Sequence, residues 1–247
     1  MQELTIKPFD MAFRTREAYR TLRSNIEFSG DNIKTVAITS CVPNEGKSSV
    51  SFELARSFAQ NGDTVLLIDA DMRKSVMRNR FTEGKVEYGL SNFLVGKCTA
   101  DMATCKTNDD RFFIMLSGPA TPSPAELLNS ERFAFLLEHA KQTYDYVLID
   151  TPPLGSVIDS AIVGKRCDGI MVVTASGTIS YRFAQSVLAQ LEKADCRILG
   201  CVLNKADFGS EKGYYGKYYG KYYGKYYGKY YGKYYGKYYG NYGDEEK

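Results

Sequence analysis

The chain has 247 residues, of which 25% are charged and 44% hydrophobic, and its formal net charge at pH 7 is +3. These values are ordinary for one α/β domain with an additional segment, and they exclude collagen-like, disulfide-scaffold and fully disordered chains. Residues 211–247 hold eight lysines against four acids, which gives this segment +4 and leaves residues 1–210 at −1. The body therefore has no charge excess that would favour nucleic-acid binding.

Strand and helix patterns alternate from the N-terminus to about residue 204. Residues 10–28 predict a helix with Tyr19, Leu22 and Ile26 on one stripe, and helical spacing recurs at 47–60, 131–142 and 180–194. Between these helices lie six short apolar runs, typical of strands buried on both faces, at 35–39, 64–68, 112–116, 146–149, 169–173 and 197–203. The alternation predicts a doubly wound, mostly parallel α/β sheet, which binds ligands beyond the carboxyl ends of its strands.

A phosphate-binding loop follows the first of these runs. Residues 41–48 read CVPNEGKS and precede a predicted helix, so Gly46, Lys47 and Ser48 match the end of a P-loop. Backbone N–H groups and the helix N-terminus would cradle phosphates, the lysine would reach the β- and γ-oxygens, and the hydroxyl would hold Mg²⁺. The motif departs from the usual pattern at Cys41, where the first glycine is expected. It departs again at Asn44, where many P-loops have another glycine, although asparagine tolerates a left-handed backbone better than most residues. The predicted nucleotide-binding residues of this loop are Asn44, Glu45, Gly46, Lys47, Ser48 and Ser49.

Two acidic motifs follow later strands. One strand ends in Asp69 and Asp71, followed by Arg73, and another ends in Asp150 before a Thr-Pro-Pro run. Carboxylates at the carboxyl ends of strands beside a P-loop suit Mg²⁺, which prefers oxygen ligands and nucleotide phosphates. The sequence therefore predicts a magnesium–nucleotide site at this edge of the sheet.

Asn204 begins a run that reads NKAD and superficially matches a guanine-reading element, so GTP stays open beside ATP as the nucleotide.

The C-terminal segment differs from the body. From Tyr214 the unit YYGK repeats six times and is followed by YYGN, with a glycine every fourth residue and no core-facing stripe. We expect residues 210–247 to form a disordered tail.

Together these motifs resemble the bacterial tyrosine kinases that regulate capsular and exopolysaccharide synthesis. Those enzymes carry, in this order, a P-loop, a strand followed by D-x-D-x-R, and a strand followed by D-[TS]-P-P, and the resemblance covers residues 1–210 and extends to the tail. It implies an ATP-dependent protein-tyrosine kinase with a P-loop NTPase-like fold and Mg²⁺ as cofactor. Residues 1–210 would be the kinase domain, with an N-terminal oligomerisation helix within 1–30, and 211–247 the autophosphorylation tail.

The resemblance also implies roles for single residues. Lys47 would bind the phosphates, while Ser48, Asp71 and Asp150 would hold Mg²⁺ directly or through water. Asp69 would lie next to the incoming tyrosine hydroxyl as a base or positioning group, so Lys47, Asp69 and Asp71 are the expected catalytic residues. In relatives of this fold an asparagine at the position of Asn204 contacts adenine, which favours ATP.

The tail would supply the phosphoacceptors. A flexible chain of 37 residues has an r.m.s. span of about 30–36 Å, enough to reach a neighbouring subunit in a ring. The candidate acceptors are Tyr214, Tyr215, Tyr218, Tyr219, Tyr222, Tyr223, Tyr226, Tyr227, Tyr230, Tyr231, Tyr234, Tyr235, Tyr238, Tyr239 and Tyr242.

The predicted N-terminal helix carries Glu17, Arg20 and Arg23 along one side. This is ordinarily a solvated charged face, but the family joins its subunits into a ring through an E-x-x-R-x-x-R stretch. The resemblance further implies protein-tyrosine substrates, a cognate phosphatase and a membrane-anchored activator of the polysaccharide co-polymerase type. With no apolar run long enough to span a bilayer and with scattered cysteines, we expect a cytoplasmic protein. The activator that the resemblance implies would recruit it peripherally to the inner face of the membrane.

Two other classes remain open from the sequence. A partition-type or positioning ATPase shares the P-loop and Asp150, but it carries a further lysine at the position of Val42. An RNA-binding protein with a vestigial nucleotide fold would explain lysines interleaved with tyrosines, but it would leave the three acids without a role. Arg73 and the tail favour the kinase.

Overall fold

The computed structural model of the chain describes residues 2–206. The described residues up to Asn204 belong to one compact unit. The predicted tail, its phosphoacceptor tyrosines and the domain boundary after residue 210 lie outside the described residues, so they stay predictions.

The described residues form one nine-stranded sheet in which most neighbouring strands are parallel. Its order is β4-β1-β5-β6-β3-β7-β2-β8-β9, and the β1–β4 and β5–β6 pairs are antiparallel. The strands are β1 (Gln2–Ile6), β2 (Thr35–Ser40), β3 (Val65–Asp69), β4 (Phe81–Glu83), β5 (Cys105–Thr107), β6 (Phe112–Met115), β7 (Tyr146–Asp150), β8 (Gly169–Ala175) and β9 (Ile198–Asn204).

Eight α-helices connect these strands within residues 2–206. They are α1 (Phe13–Glu27), α2 (Lys47–Asn61), α3 (Leu90–Leu94), α4 (Ala100–Ala103), α5 (Pro124–Leu128), α6 (Glu131–Thr143), α7 (Asp159–Lys165) and α8 (Tyr181–Lys193). Local signals set several ends: the hydroxyls of Ser130 and Ser180 accept backbone N–H groups at the starts of α6 and α8, and Gly62, with φ 104°, ends α2. No helix of this part of the chain combines the length and apolar character that crossing a membrane requires.

Helices cover both faces of the sheet. On one face, α1 and α2 contribute Ile26, Phe52 and Phe58 to an apolar cluster with the inner strands. On the other face, α6 and α8 contribute residues such as Phe133 and Leu191. Every residue of β2 and of β3 is buried, as continuous apolar runs predict for central parallel strands. The predicted doubly wound sheet is therefore confirmed.

The N-terminal element departs from the expectation. The helix predicted over residues 10–28 is present as α1 (Phe13–Glu27), whereas Gln2–Ile6, within the same N-terminal range of 1–30, form β1. Leu4 and Ile6 are buried and the residue between them is not, which is the two-residue period of a strand. The predicted helix is thus present, and a strand that the sequence did not predict precedes it.

The strand order determines where the site lies. β2 and β3 both pair in parallel with β7, so the carboxyl ends of these three strands lie side by side. Asp69 and Asp150 are register partners at the ends of β3 and β7, and the P-loop leaves the end of β2. The three sequence motifs therefore meet at one edge of the sheet.

Candidate active site

The P-loop joins β2 to α2 and contains two residues with a left-handed backbone. Gly46, with φ 92°, directly precedes the helix, and a Cβ atom there would lie 2.2 Å from the side-chain nitrogen of Asn204. Asn44 has φ 67°, so it takes the left-handed conformation that the sequence allowed for it. Cys41, at the position of the missing first glycine, is buried, and burial raises the pKa of its thiol to about 11. Its thiol is therefore neutral at pH 7.

Glu45 and Asn204 support the loop from inside the protein. The Glu45 carboxylate is 1% exposed and accepts hydrogen bonds from the N–H groups of Val42 (2.9 Å) and Ala175 (3.1 Å) and from the Thr174 hydroxyl (2.9 Å). The Asn204 amide donates to the Glu45 carbonyl oxygen at 2.9 Å. Both residues were predicted to bind nucleotide, and the structure shows them joining the P-loop to β8 and β9.

Lys47 lies at the centre of an acidic cluster. Its ammonium group is 3.0 Å from the Asp71 carboxylate, 3.5 Å from that of Asp150 and 3.1 Å from the Ser48 hydroxyl. Burial lowers the pKa of Lys47, but the negative charges of Asp150 and Asp71 outweigh this effect and raise it. Lys47 is therefore firmly cationic, and the structure brings together the lysine, the hydroxyl and two of the three predicted acids.

Asp150 is held on its other side by α2. The Ser51 hydroxyl, one turn after Lys47, lies 3.0 Å from the Asp150 carboxylate and 2.9 Å from the Lys47 carbonyl oxygen, either of which can accept its single hydrogen. Burial raises the pKa of Asp150, and the neighbouring Lys47 charge opposes that rise. Sequence reasoning did not single out Ser51, although its position one helical turn after the P-loop lysine was a usable signal.

Asp69 is completely buried at the end of β3. One carboxylate oxygen accepts a hydrogen bond from the Ser75 hydroxyl, and the other accepts one from the Asp71 N–H at 3.3 Å. Burial raises the pKa of Asp69 to about 7, and the charge of Asp150 acts in the same direction. The Asp71 carboxylate, in contrast, lies directly against the Lys47 ammonium group, at 3.0 Å.

A second ion pair lies beside these acids and was not foreseen. Arg73 donates two hydrogen bonds to Asp159, at 2.8 and 3.0 Å, and the Asp159 carboxylate has no exposed surface. Sequence reasoning treated Arg73 only as a family marker. Its partner is 86 residues away and nothing in the local pattern identified it.

Comparisons with known proteins agree with this geometry. A family model described as "AAA domain" matches residues 33–198. The tyrosine-protein kinase CpsD of Streptococcus pneumoniae is 39% identical over 218 residues, which cover 87% of this chain and 96% of that relative. The chain belongs to the bacterial tyrosine-protein kinases. A second member, the tyrosine-protein kinase YwqD of Bacillus subtilis, is 40% identical over 205 residues, covering 81% of this chain and 86% of the relative.

Solved structures extend the likeness to the fold. The kinase domain of the Escherichia coli tyrosine kinase ETK has a TM-score of 0.73 at 34% identity, covering 81% of this chain and 80% of that one. The chimerical protein CapA2B2 has a TM-score of 0.74 at 30% identity, covering 82% and 93%. The family resemblance and the tyrosine-kinase activity that the motifs predicted are therefore confirmed.

The positioning ATPases are more distant. The cell division ATPase MinD of Pyrococcus furiosus has a TM-score of 0.59 at 21% identity, covering 70% of this chain and 74% of that one. This likeness concerns the fold alone.

The charged residues of α1 lie outside the nucleotide site. Glu17 and Arg20 pair with each other at 2.6 Å, and both side chains are about half exposed. Arg23 is 15% exposed; it donates to the Ser57 carbonyl oxygen of α2 at 2.9 Å and pairs with Glu27 at 3.3 Å. Two of the three predicted interface residues are thus accessible, and the third already holds α1 against α2.

Proposed function

We propose that this kinase transfers the γ-phosphoryl group of ATP to tyrosines of its own C-terminal tail, between subunits, and thereby regulates capsular or exopolysaccharide synthesis. The observation that carries the proposal is the convergence of Lys47, Asp71 and Asp150 within 3.5 Å at the start of α2. Phosphoryl transfer requires mainly alignment and charge neutralisation, which a cation between two carboxylates at a P-loop can provide.

The donor set fits a magnesium ion that arrives with the nucleotide. Ser48, Asp71 and Asp150 offer only oxygen atoms, the ligands that Mg²⁺ prefers. Within residues 2–206 no group of three or more His, Cys, Asp or Glu side chains could hold a metal by itself. A nucleotide-bound Mg²⁺ needs only one or two protein oxygens, and it supplies positive charge for the phosphate oxygens.

Each polar group of the cluster has a task in this proposal. Lys47 neutralises charge on the β- and γ-phosphates, and the N–H groups at the start of α2 point at the same oxygens. Asp69 orients the acceptor hydroxyl or accepts its proton. Asn204 fixes the P-loop backbone and contacts the adenine base.

The acceptor tyrosines lie outside the described residues, and the support for them is the sequence. Residues 212–242 contain 15 tyrosines, seven lysines and no acid. Each phosphate adds a charge of about −1.5 to −2, so roughly four or five phosphotyrosines neutralise this segment. Heavier phosphorylation then makes the segment anionic and repels it from the acidic sites of neighbouring subunits.

The proposed partners follow from the family resemblance and from α1. Glu17 and Arg20 join copies of this chain into a ring, with Arg23 supporting the helix that carries them. A membrane-anchored activator of the polysaccharide co-polymerase type recruits the ring to the inner face of the membrane, and a cognate phosphatase reverses the modification.

The test is to incubate the full chain with Mg-ATP and to map phosphotyrosine on tail peptides by mass spectrometry. Lys47→Met, which removes the central cation, is the control, and released phosphate is measured in parallel. We expect phosphotyrosine between Tyr214 and Tyr242 that is lost in the control. Phosphate release without phosphotyrosine, also after addition of a candidate activator, would contradict the kinase and favour a positioning ATPase.

A further inference from the structure

Asp159 is a buried acid without a place in the motifs described above. It is the first residue of α7 and has no exposed surface, whereas the Arg73 side chain that pairs with it is 40% exposed. The guanidinium donates through two nitrogens to the two carboxylate oxygens, at 2.8 and 3.0 Å. Such a two-point contact fixes the direction of both side chains as well as their distance.

The pair joins the segments that follow the two acidic motifs. Arg73 lies two residues after Asp71, and the Lys74 N–H donates to the Asp71 carboxylate at 3.0 Å. Asp159 lies nine residues after Asp150 in the chain. At the start of these segments the Ala70 N–H donates to the Asp150 carbonyl oxygen at 2.8 Å. The two segments are therefore tied twice, once by backbone and once by the ion pair.

The segment between Asp150 and α7 is in turn held against the P-loop. The N–H groups of Leu154 and Gly155 donate to the carbonyl oxygens of Ser40 (2.9 Å) and Cys41 (3.2 Å). A Cβ atom on Gly155 would lie 2.2 Å from the Cys41 oxygen, so the two backbones are in close contact. Backbone hydrogen bonds and the Arg73–Asp159 pair therefore connect the P-loop, the residues that follow Asp71 and the start of α7 to one another.

We propose that Asp159 is a positioning residue that acts through Arg73 to hold the Asp71 carboxylate in place for Mg²⁺. Two observations support the assignment: the carboxylate is completely buried and has two hydrogen bonds to Arg73, and the backbone next to Arg73 holds Asp71. Residues that orient a metal ligand without touching the metal commonly change metal affinity about 10- to 100-fold when they are replaced. The inference rests on the magnesium site proposed above and adds a residue to it.

The test measures ADP binding to the full chain by calorimetry, with and without Mg²⁺, and needs no kinase activity. The quantity to compare is the ratio of the ADP affinities with and without Mg²⁺. In Asp159→Asn we expect this ratio to be about tenfold smaller than in the wild type, while the ADP affinity without Mg²⁺ is unchanged. Arg73→Lys keeps the positive charge but loses the two-point contact, so we expect a smaller reduction of the same ratio. If Asp159→Asn does not fold, the Arg73→Lys variant tests the inference by the same measurement. Asp195→Asn is the matched control, because Asp195 pairs with Lys165 at the surface, where both side chains are more than 60% exposed.

Three results would overturn the inference. An unchanged Mg²⁺ effect in the variants would show that the pair does not position Asp71. An equal loss of ADP affinity with and without Mg²⁺ would show general damage to the P-loop. If Mg²⁺ failed to tighten ADP binding in the wild type, the magnesium site itself would be wrong, and the role of Asp159 with it.

Discussion

At the scale of single residues, the surroundings of Asp69 bear most directly on the proposed transfer to tyrosine. Its carboxylate is completely buried, and the exposed Ser75 donates a hydroxyl hydrogen to one of its oxygens. The Ser75 oxygen in turn accepts the Met77 N–H at 3.2 Å, which fixes its position. In the proposed reaction, a tyrosine hydroxyl that reaches Asp69 would therefore meet a position where the Ser75 hydroxyl is already bound.

We predict that Ser75→Ala accelerates tail phosphorylation about tenfold, since a hydrogen bond to the charged carboxylate, of about 1.5 kcal/mol, no longer competes with the acceptor. Ser75→Thr keeps a hydroxyl at this place and should remain close to the wild type. The measurement is the initial rate of phosphotyrosine formation, with ADP affinity as the check on folding. A slower rate in Ser75→Ala would show that this hydroxyl assists the reaction instead.

Single residues also show which neighbours in the site the sequence could indicate. Gly46, Lys47 and Ser48 are neighbours in the chain and their chemistry depends on backbone geometry, so one short motif was enough to find them. The carboxylates of Asp71 and Asp150 were found because both follow apolar strands. Asp159 and the structural role of the Glu45 side chain were missed, since each depends on partners more than 80 residues away.

At the scale of elements, Asp168, which directly precedes β8, connects this strand to the start of β2 and to the last turn of α6. Its carboxylate accepts hydrogen bonds from the N–H groups of Lys34 (3.0 Å) and Thr35 (2.8 Å), before and at the start of β2, and from Lys141 of α6 (2.7 Å). Burial acts to raise the pKa of Asp168, but these donors outweigh it and lower the pKa. The charged carboxylate therefore stabilises the folded state, and its contribution is lost as the pH falls.

We predict that Asp168→Asn lowers the free energy of unfolding by about 2 kcal/mol near pH 7, the range for hydrogen bonds to a charged group. Because the folded-state pKa lies below the unfolded value of about 3.9, the difference from the wild type should begin to shrink as the pH falls below that value, and it is lost as the pH falls through the folded-state pKa. Urea unfolding near pH 7 and near pH 3.5 measures both effects. Asp110→Asn, at an exposed site, is the control, and a difference that did not vary with pH would contradict the assignment to this carboxylate.

The strands also show which elements the sequence pattern can predict and which it cannot. All six predicted strands are present, and continuous apolar runs leave few alternatives for the five that lie inside the sheet. The expected burial is wrong for β9, which lies at the edge of the sheet and has no buried residue. The three missed strands, β1, β4 and β5, are three to five residues long, and each takes part in an antiparallel pair or lies next to one. Such short elements are stabilised by neighbours distant in sequence, so their local pattern is weak.

At the scale of the whole molecule, α1 presents an accessible pair of charges away from the nucleotide site. We predict that the double variant Glu17→Ala/Arg20→Ala dissociates the oligomer without lowering the melting temperature, because both side chains are about half exposed. Arg23→Ala should lower the melting temperature instead, since Arg23 holds α1 against α2. Light scattering coupled to gel filtration measures the state, with Arg182→Ala on the exposed face of α8 as the control.

An unchanged oligomer in the double variant would place the contact between subunits elsewhere. A monomeric wild type would remove the ring from the account altogether.

The most direct test of the central claim is transfer between two differently disabled chains. One is Lys47→Met with its tail intact, and the other has an intact site with all 15 tyrosines between Tyr214 and Tyr242 changed to phenylalanine. In the presence of Mg-ATP, we predict phosphotyrosine on the tail of the Lys47→Met chain in the mixture and none on either chain alone. A mixture that stays unmodified, while the wild type phosphorylates its own tail, would contradict transfer between subunits and place the reaction within one chain.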